Sequence, residues 1–319
     1  PTRRWLAGEP SAPPRPPRAG RGTFKLEGLR RHNLQGLDLT LEAGLLHVVS
    51  GVSGAGKTAL LDAVVARLQE TGPESPFRRV VTVDADPIGR TPRSNAATYT
   101  GAFDLIRDLF ARSPDARARG LGKGAFSFNT AGGRCEACEG AGVREIGMRY
   151  LGSVDLVCEA CGGRRFHPDV LEVAVRGRTI AEVLEGSIAE AAAAFVDHPR
   201  LRRILEALLD VGLGYLPLGQ PATTLSGGEA QRVKLAAELA KASTGPALIV
   251  LDEPTTGLHA ADVAVLLRAW DRLLEAGHTL LVADHDLTVI RAADRVLDLG
   301  PGAGPEGGRL VVAGPPEAV

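Results

Sequence analysis

Gly51-Val-Ser-Gly-Ala-Gly-Lys57-Thr58 is the stretch on which the fold turns. It fits G-x-x-x-x-G-K-[ST] at every position, and its surroundings are those a phosphate loop needs. The apolar run Leu45-Leu-His-Val-Val49 leads into it as a buried strand. Thr58 to Leu68 leaves it with helical spacing, with Leu61, Val64, Val65 and Leu68 on one side. In that setting Gly51, Ser53, Gly54 and Gly56 form a loop whose backbone amides point at phosphate oxygens, and the following helix offers its positive N-terminal end. Lys57 is expected to reach the β- and γ-phosphates of ATP, and Thr58 to hold Mg²⁺.

Two further strings carry chemistry. Leu248-Ile-Val-Leu-Asp252-Glu253 reads as a buried parallel strand that delivers Asp252 to Mg²⁺ at its C-terminal end, where open α/β sheets bind ligands. Glu253 is then placed to polarise the attacking water as a general base. In Leu225-Ser226-Gly227-Gly228-Glu229, Ser226 and Glu229 form a capping box, so a helix starts at Ser226 and runs through Leu239. Gly227 and Gly228 beside that start leave amides for phosphate, and the helix dipole adds attraction. In isolation this is an ordinary helix cap. After a phosphate loop and before Asp252-Glu253 it marks an ABC-type ATPase. His285, just after the strand Leu280 to Ala283, suits a switch position that senses the γ-phosphate.

Between the phosphate loop and the signature lie the chain's 4 cysteines, in two Cys-x-x-Cys pairs: Cys135 with Cys138, and Cys158 with Cys161. The 19 residues between Cys138 and Cys158 and the glycines after each pair fit tetrahedral Cys₄ zinc with no open coordination position. The site is therefore expected to be structural, pinning a hairpin that carries Arg144 and Arg149. His167 is a candidate extra ligand but reads better as a surface residue.

Composition places these motifs in an ordinary globular chain, with 44% hydrophobic and 24% charged residues. No apolar run approaches the roughly 20 residues of a membrane span, and no secretory leader is visible, so a cytoplasmic protein without a membrane partner is expected. The net charge of -1 argues against general polyanion binding, yet Pro87 to His167 holds 12 Lys/Arg against 8 Asp/Glu. The chain starts at Pro1 and its 1 methionine is Met148, which reads as part of a longer protein.

Four blocks follow: a Pro/Arg-rich linker over 1–22; the first part of the ATP-binding core over 23–86; a mostly helical signature domain over 87–240, with the zinc module at about 120–167; and the second part of the core over 241–319. The fold class is α/β: an ABC-type ATPase core with a mostly parallel sheet, split by a helical domain that carries the zinc module.

Several strings together closely resemble the UvrA family of excinuclease proteins from bacterial nucleotide-excision repair, in its C-terminal nucleotide-binding half. They are Gly51-Val-Ser-Gly, Ile88-Gly-Arg-Thr-Pro-Arg-Ser-Asn95, Thr98-Tyr-Thr-Gly101, Gly133-Arg-Cys-Glu-Ala-Cys138, Thr223-Thr-Leu-Ser-Gly-Gly-Glu-Ala-Gln-Arg232 and Asp252-Glu-Pro-Thr-Thr-Gly-Leu-His259. The resemblance implies an ATPase that binds damaged double-stranded DNA and works as a homodimer with two cassettes per protomer. It also implies that the signature loop of one cassette closes on the phosphate loop of the other, so that Ser226, Gly227 and Gly228 serve a nucleotide that Lys57 does not hold. UvrB would be engaged through the half that this chain does not contain.

The chain departs from the family pattern at Ala85, where a Gln that positions Mg²⁺ and water is usual, and at Ala125 and Ala131, where basic residues are usual. Ala85 keeps a second reading open, a DNA-binding module that uses ATP as a conformational ligand with little hydrolysis. A third is a drug-tolerance variant that does not engage the repair nuclease.

Overall fold

The computed structural model describes residues 18–71, 75, 77–148, 152–241 and 245–319. The chain forms two compact units, one from Pro1–Ala85 with Lys241–Val319 and the other from Asp86–Ala240.

The first unit opens with a hairpin of β1 (Thr23–Leu29) and β2 (Leu37–Glu42), paired antiparallel from Thr23↔Glu42 to Leu29↔Leu37. Their alternation turns Leu26, Leu29, Leu37, Leu39 and Leu41 into the core and leaves the other face polar. β3 (Leu46–Gly51) then runs straight into the glycine loop, followed by α1 (Lys57–Thr71) and β4 (Arg79–Val83). Of the expected linker, residues 1–17 lie outside the described residues. The remainder is laid against this unit: Arg18 pairs with Asp271 and, at 3.7 Å, with Asp294, and the Arg21 amide donates to the Ala43 carbonyl at 2.8 Å.

The second unit is a set of short helices with two longer ones, the amphipathic Pro199–Asp210 and Gly227–Ala240. Asn95 caps α2 (Ala96–Thr100) through a reciprocal bond with Thr98, and α3 (Ala102–Ala111) and α4 (Pro114–Ala118) follow. The cysteine-bearing segment contains the antiparallel hairpin β5 (Val143–Met148) and β6 (Gly152–Val157). Arg144 on it is exposed, and Arg149 lies outside the described residues. After α5 (Pro168–Leu171) and the small ribbon of β7 (Ala174–Val175) and β8 (Arg178–Thr179), two capping boxes start helices. Thr179 with Glu182 opens α6 (Ile180–Glu185), and Ser187 with Glu190 opens α7 (Ile188–Ala194). In α8 (Pro199–Asp210) the apolar stripe buries Leu201, Leu205 and Leu208, while α9 (Gly227–Ala240) follows the signature residues.

The chain then returns to the first unit with β9 (Ala247–Asp252), α10 (Ala260–Glu275), β10 (Thr279–Ala283), α11 (Leu287–Arg291), β11 (Arg295–Gly300) and β12 (Arg309–Gly314). The sheet order is β12-β11-β3-β10-β9-β4, parallel throughout except for the antiparallel edge strand β12. β9 and β10 are buried along nearly their whole length, as the central strands of a parallel sheet packed by helices are. Register places Ala283 opposite both Val49 and Asp252, so β3, β10 and β9 end together at one sheet edge. That common C-terminal edge positions the site.

Candidate nucleotide site and metal centre

The loop between β3 and α1 depends on glycine for its backbone shape and its packing. Gly51, Gly54 and Gly56 have φ of 138°, 80° and 108°, conformations that cost other residues free energy. A Cβ at Gly51 would lie 2.4 Å from the Leu299 carbonyl oxygen, and one at Gly56 would lie 2.8 Å from Asn33 Oδ1, so neither position tolerates a side chain. Ser53 is exposed on the loop. The Lys57 ammonium is folded back onto the loop, donating to the carbonyls of Gly51 at 2.9 Å and Val52 at 3.2 Å. It is thus held inside the cradle, where a phosphate would supply a stronger acceptor.

Thr58 and Asp252, 194 residues apart in sequence, meet here: Thr58 Oγ1 donates to Asp252 Oδ2 at 2.8 Å. A hydroxyl and a carboxylate at the end of neighbouring elements are the donor set that suits Mg²⁺ beside a nucleotide. Burial holds the Asp252 carboxyl above the usual carboxylate range, Glu253 and Asp62 add repulsion, and the Thr58 hydrogen bond and Lys57 oppose them. A divalent cation would relieve that repulsion.

Glu253 is exposed and sits at φ 44°, the left-handed region, with its amide donating to the Ala283 carbonyl at 2.8 Å. A non-glycine residue in that region is held there by its surroundings, and such residues cluster at functional sites. His285 is also exposed, two residues past the end of β10, and its amide donates to Asp284 Oδ1 at 2.7 Å. Both side chains therefore stand at the sheet edge that also carries Gly51 and Asp252.

In the second unit the signature residues form the expected reciprocal cap. Ser226 N–H and Oγ donate to Glu229 Oε2 at 2.8 and 2.9 Å, and the Glu229 amide donates back to Ser226 Oγ at 3.3 Å. Ser226 and Gly227 are exposed and Gly228 is half-buried. Sequence reading did not identify Tyr215, whose hydroxyl donates to the other Glu229 oxygen at 2.6 Å.

The four cysteines are brought together. Their sulfurs all lie within 4.8 Å of one another, all four residues are buried, and none is in a disulfide. Cys138 Sγ and Cys161 Sγ are 3.8 Å apart, too far for an S–S bond and equal to the edge of a tetrahedron with Zn–S of about 2.3 Å. The Gly142 amide donates to Cys138 Sγ at 3.3 Å, as outer-shell donors to thiolates do. Backbone amides pull the Cys158 thiol down to about 7, while burial pushes Cys161 up to about 12 and also raises Cys138. The donor set fits zinc.

His167 is not part of this cluster; its Nδ1 accepts from the Asp169 amide at 3.3 Å and caps α5. The knuckles rest on aromatic residues the sequence did not mark. Phe128 stacks on Phe103 at 4.6 Å and meets Phe166 edge-on at 5.9 Å, and Gly140 at φ 79° passes so close to the Phe128 carbonyl that a Cβ would lie 1.7 Å from its oxygen.

Asn33 is another residue without a sequence signal. Its Nδ2 donates to the carbonyls of Gly54 at 3.3 Å and Gly304 at 3.1 Å, and the Gly304 amide donates to Gly54 at 3.0 Å. The phosphate loop is thereby strutted from outside its own motif. Among the described residues no helix is long and apolar enough to cross a membrane.

No family model matches the chain. It is 48% identical to UvrABC system protein A of Streptococcus pyogenes serotype M1, over 100% of this chain and 36% of that protein. It is also 48% identical to UvrABC system protein A of Thermus thermophilus, over 99% of this chain and 35% of that protein. Among solved structures, UvrA2 from Deinococcus radiodurans matches with a TM-score of 0.93 and 47% identity, over 99% of this chain and 40% of that one. The chain thus spans 36% of the length of the first of these relatives.

Proposed function

We propose that this chain, a member of the UvrA family, is an ATP-binding and ATP-hydrolysing, zinc-containing part of a two-cassette DNA-damage-binding protein of nucleotide-excision repair. The observation that carries the ATPase reading is the 2.8 Å hydrogen bond from Thr58 to Asp252 beside a loop that admits no Cβ at Gly51 or Gly56. In this reading the loop amides and Lys57 hold the β- and γ-phosphates, and Thr58 and Asp252 hold Mg²⁺. Mg²⁺ held by Thr58 and Asp252 would supply charge neutralisation to the phosphates. Glu253 accepts a proton from the attacking water, and His285 contacts the γ-phosphate from the next strand end. Ser226, Gly227 and Gly228 serve the nucleotide of a second cassette, so the working unit is a dimer of two-cassette protomers. Zinc in the four-cysteine cluster supports the hairpin that faces DNA, and UvrB engages the part of the protein beyond this chain.

The test is steady-state ATP turnover by the full-length protein and its Glu253→Gln variant. Turnover that falls steeply in the variant supports the reading, and wild-type turnover at background overturns it. Ala85, exposed at the end of the first unit's N-terminal segment, favours a second reading in which nucleotide is a conformational ligand. ATP-dependent DNA binding without phosphate release would establish it.

A further inference from the structure

Asp284 is the one carboxylate among the described residues with no exposed surface at all (0%). It stands between β10 and His285, and its oxygens are well used. Oδ1 accepts the amides of His285 at 2.7 Å and Asp286 at 2.9 Å, and the Thr255 hydroxyl lies 2.8 Å from both Oδ1 and Oδ2. Thr255 is buried (7%) and is two residues past Glu253. A carboxylate taken fully out of water persists only if hydrogen bonds replace its hydration, and here every donor comes from one of two loops.

Those loops are the ones that carry Glu253 and His285. Glu253 is in the left-handed region at φ 44°, a strained state for a non-glycine residue that lasts only while neighbours over-determine it. Its amide is fixed by Ala283, its carbonyl accepts the Thr256 amide at 3.1 Å, and the nearby side chain of Thr255 is tied to Asp284. The strained residue is thus held by the residue before Asp284 directly and by Asp284 through Thr255. The turn at His285 and Asp286 closes on the same carboxylate, and Asp286 in turn caps α11 through Thr288 and Val289.

We infer that Asp284 is a positioning residue for the reaction: with Thr255 it locks the Glu253 loop and the His285 turn into one rigid piece, so that the two groups move onto the nucleotide together. The inference rests on the ATPase reading above. The bond network predicts a catalytic defect without a nucleotide-binding defect, because among the described residues the side-chain bonds of Asp284 run to Thr255 and to the amides of His285 and Asp286, not to Lys57, Thr58 or the glycine loop.

The test uses the full-length protein and three variants, Asp284→Asn, Thr255→Val and the pair together. Asn keeps the shape, can still accept both amides and meets the Thr255 hydroxyl with a neutral amide, so it weakens the tie, whereas Val keeps the volume of Thr and removes it. Thr255→Val is expected to lower kcat for ATP by about tenfold or more and Asp284→Asn by a smaller factor above about twofold, while KM stays within about twofold in both, the signature of a loss confined to the transition state. The double variant should be no slower than Thr255→Val alone, since both substitutions act on the same tie and Val has already removed it. A kcat within about twofold of wild type, a parallel rise in KM, or losses that multiply would each overturn the inference.

Amide hydrogen exchange separates this failure from failure of the ATPase reading, because it needs no turnover. Thr255→Val should speed exchange in the peptide that spans 285–288, and Asp284→Asn in the one that spans 254–258. Exchange that rises only on the substituted side refutes the tie even if ATP is hydrolysed. Cross-loop exchange with wild-type turnover at background supports the tie and sinks the ATPase reading alone.

Discussion

Thr58 Oγ1 lies 2.8 Å from Asp252 Oδ2, a hydrogen bond between the first residue after the phosphate-loop lysine and the last residue of β9. It joins two ends that are far apart in sequence at one corner of the sheet, and it marks where a divalent cation would replace the hydroxyl proton's attraction with a stronger one.

Asp252→Asn is therefore expected to lower Mg²⁺-dependent ATP turnover by roughly 100-fold or more, the scale seen when one charge-stabilising group is removed from an active site. The wild-type profile should also have a direction. Because the Asp252 carboxyl is raised, chiefly by burial, it protonates at higher pH than a solvated Asp at about 4. Mg²⁺-dependent nucleotide binding should then weaken on acidification earlier than an ordinary carboxylate site. By the same sign, ionised Asp252 opposes folding, so the cation-free protein gains a little stability as pH falls through that raised value. Nucleotide titrations in Mg²⁺ at a series of pH values check the first point.

Asn33→Ala removes both struts from the phosphate loop, each worth about 1 kcal/mol net. The expected result is a drop of a few degrees in melting temperature and a several-fold rise in the KM for ATP, with kcat less affected. A normal KM would show that the loop holds its shape without Asn33.

Cys158→Ser should reduce zinc from about one per chain to near none, and a chelator should do the same slowly in the wild type. With local folding on the order of 10 kcal/mol linked to metal, the region of about 120–167 should then become protease-sensitive. Acid should also release zinc. The ligands must be thiolates, and with Cys161 pushed up to about 12 and Cys138 raised, binding displaces protons at neutral pH. Each displaced proton makes affinity fall up to about tenfold per pH unit. Metal analysis after dialysis at stepped pH reads this out.

Ser226→Ala should cost the helix about 1 kcal/mol through loss of the cap. A turnover loss well beyond that small instability is expected if Ser226 serves a nucleotide. Steady-state ATP turnover and melting temperature of the variant, read side by side, check this.

Much of this molecule was legible as sequence because its signals are local. Gly51 to Thr58 needs only its own glycines and the strand before it, and the reciprocal caps at Thr179, Ser187 and Ser226 are closed within three residues. The two Cys-x-x-Cys pairs announce their ligand set because tetrahedral thiolate coordination demands few spacings. The amino-acid sequence alone thus determined the α/β class, the order of motifs, the cysteine cluster and the residues that meet at the sheet edge. Tertiary structure decided which backbone approaches which: that Asn33 props Gly54, that Phe128 underlies the knuckles, that Arg18 is docked, and that Asp284 gathers Thr255 and His285. A hydrogen bond across 29 or 271 residues leaves no periodicity and no fixed spacing, since it depends on the crossovers of the parallel sheet and not on any neighbour along the chain.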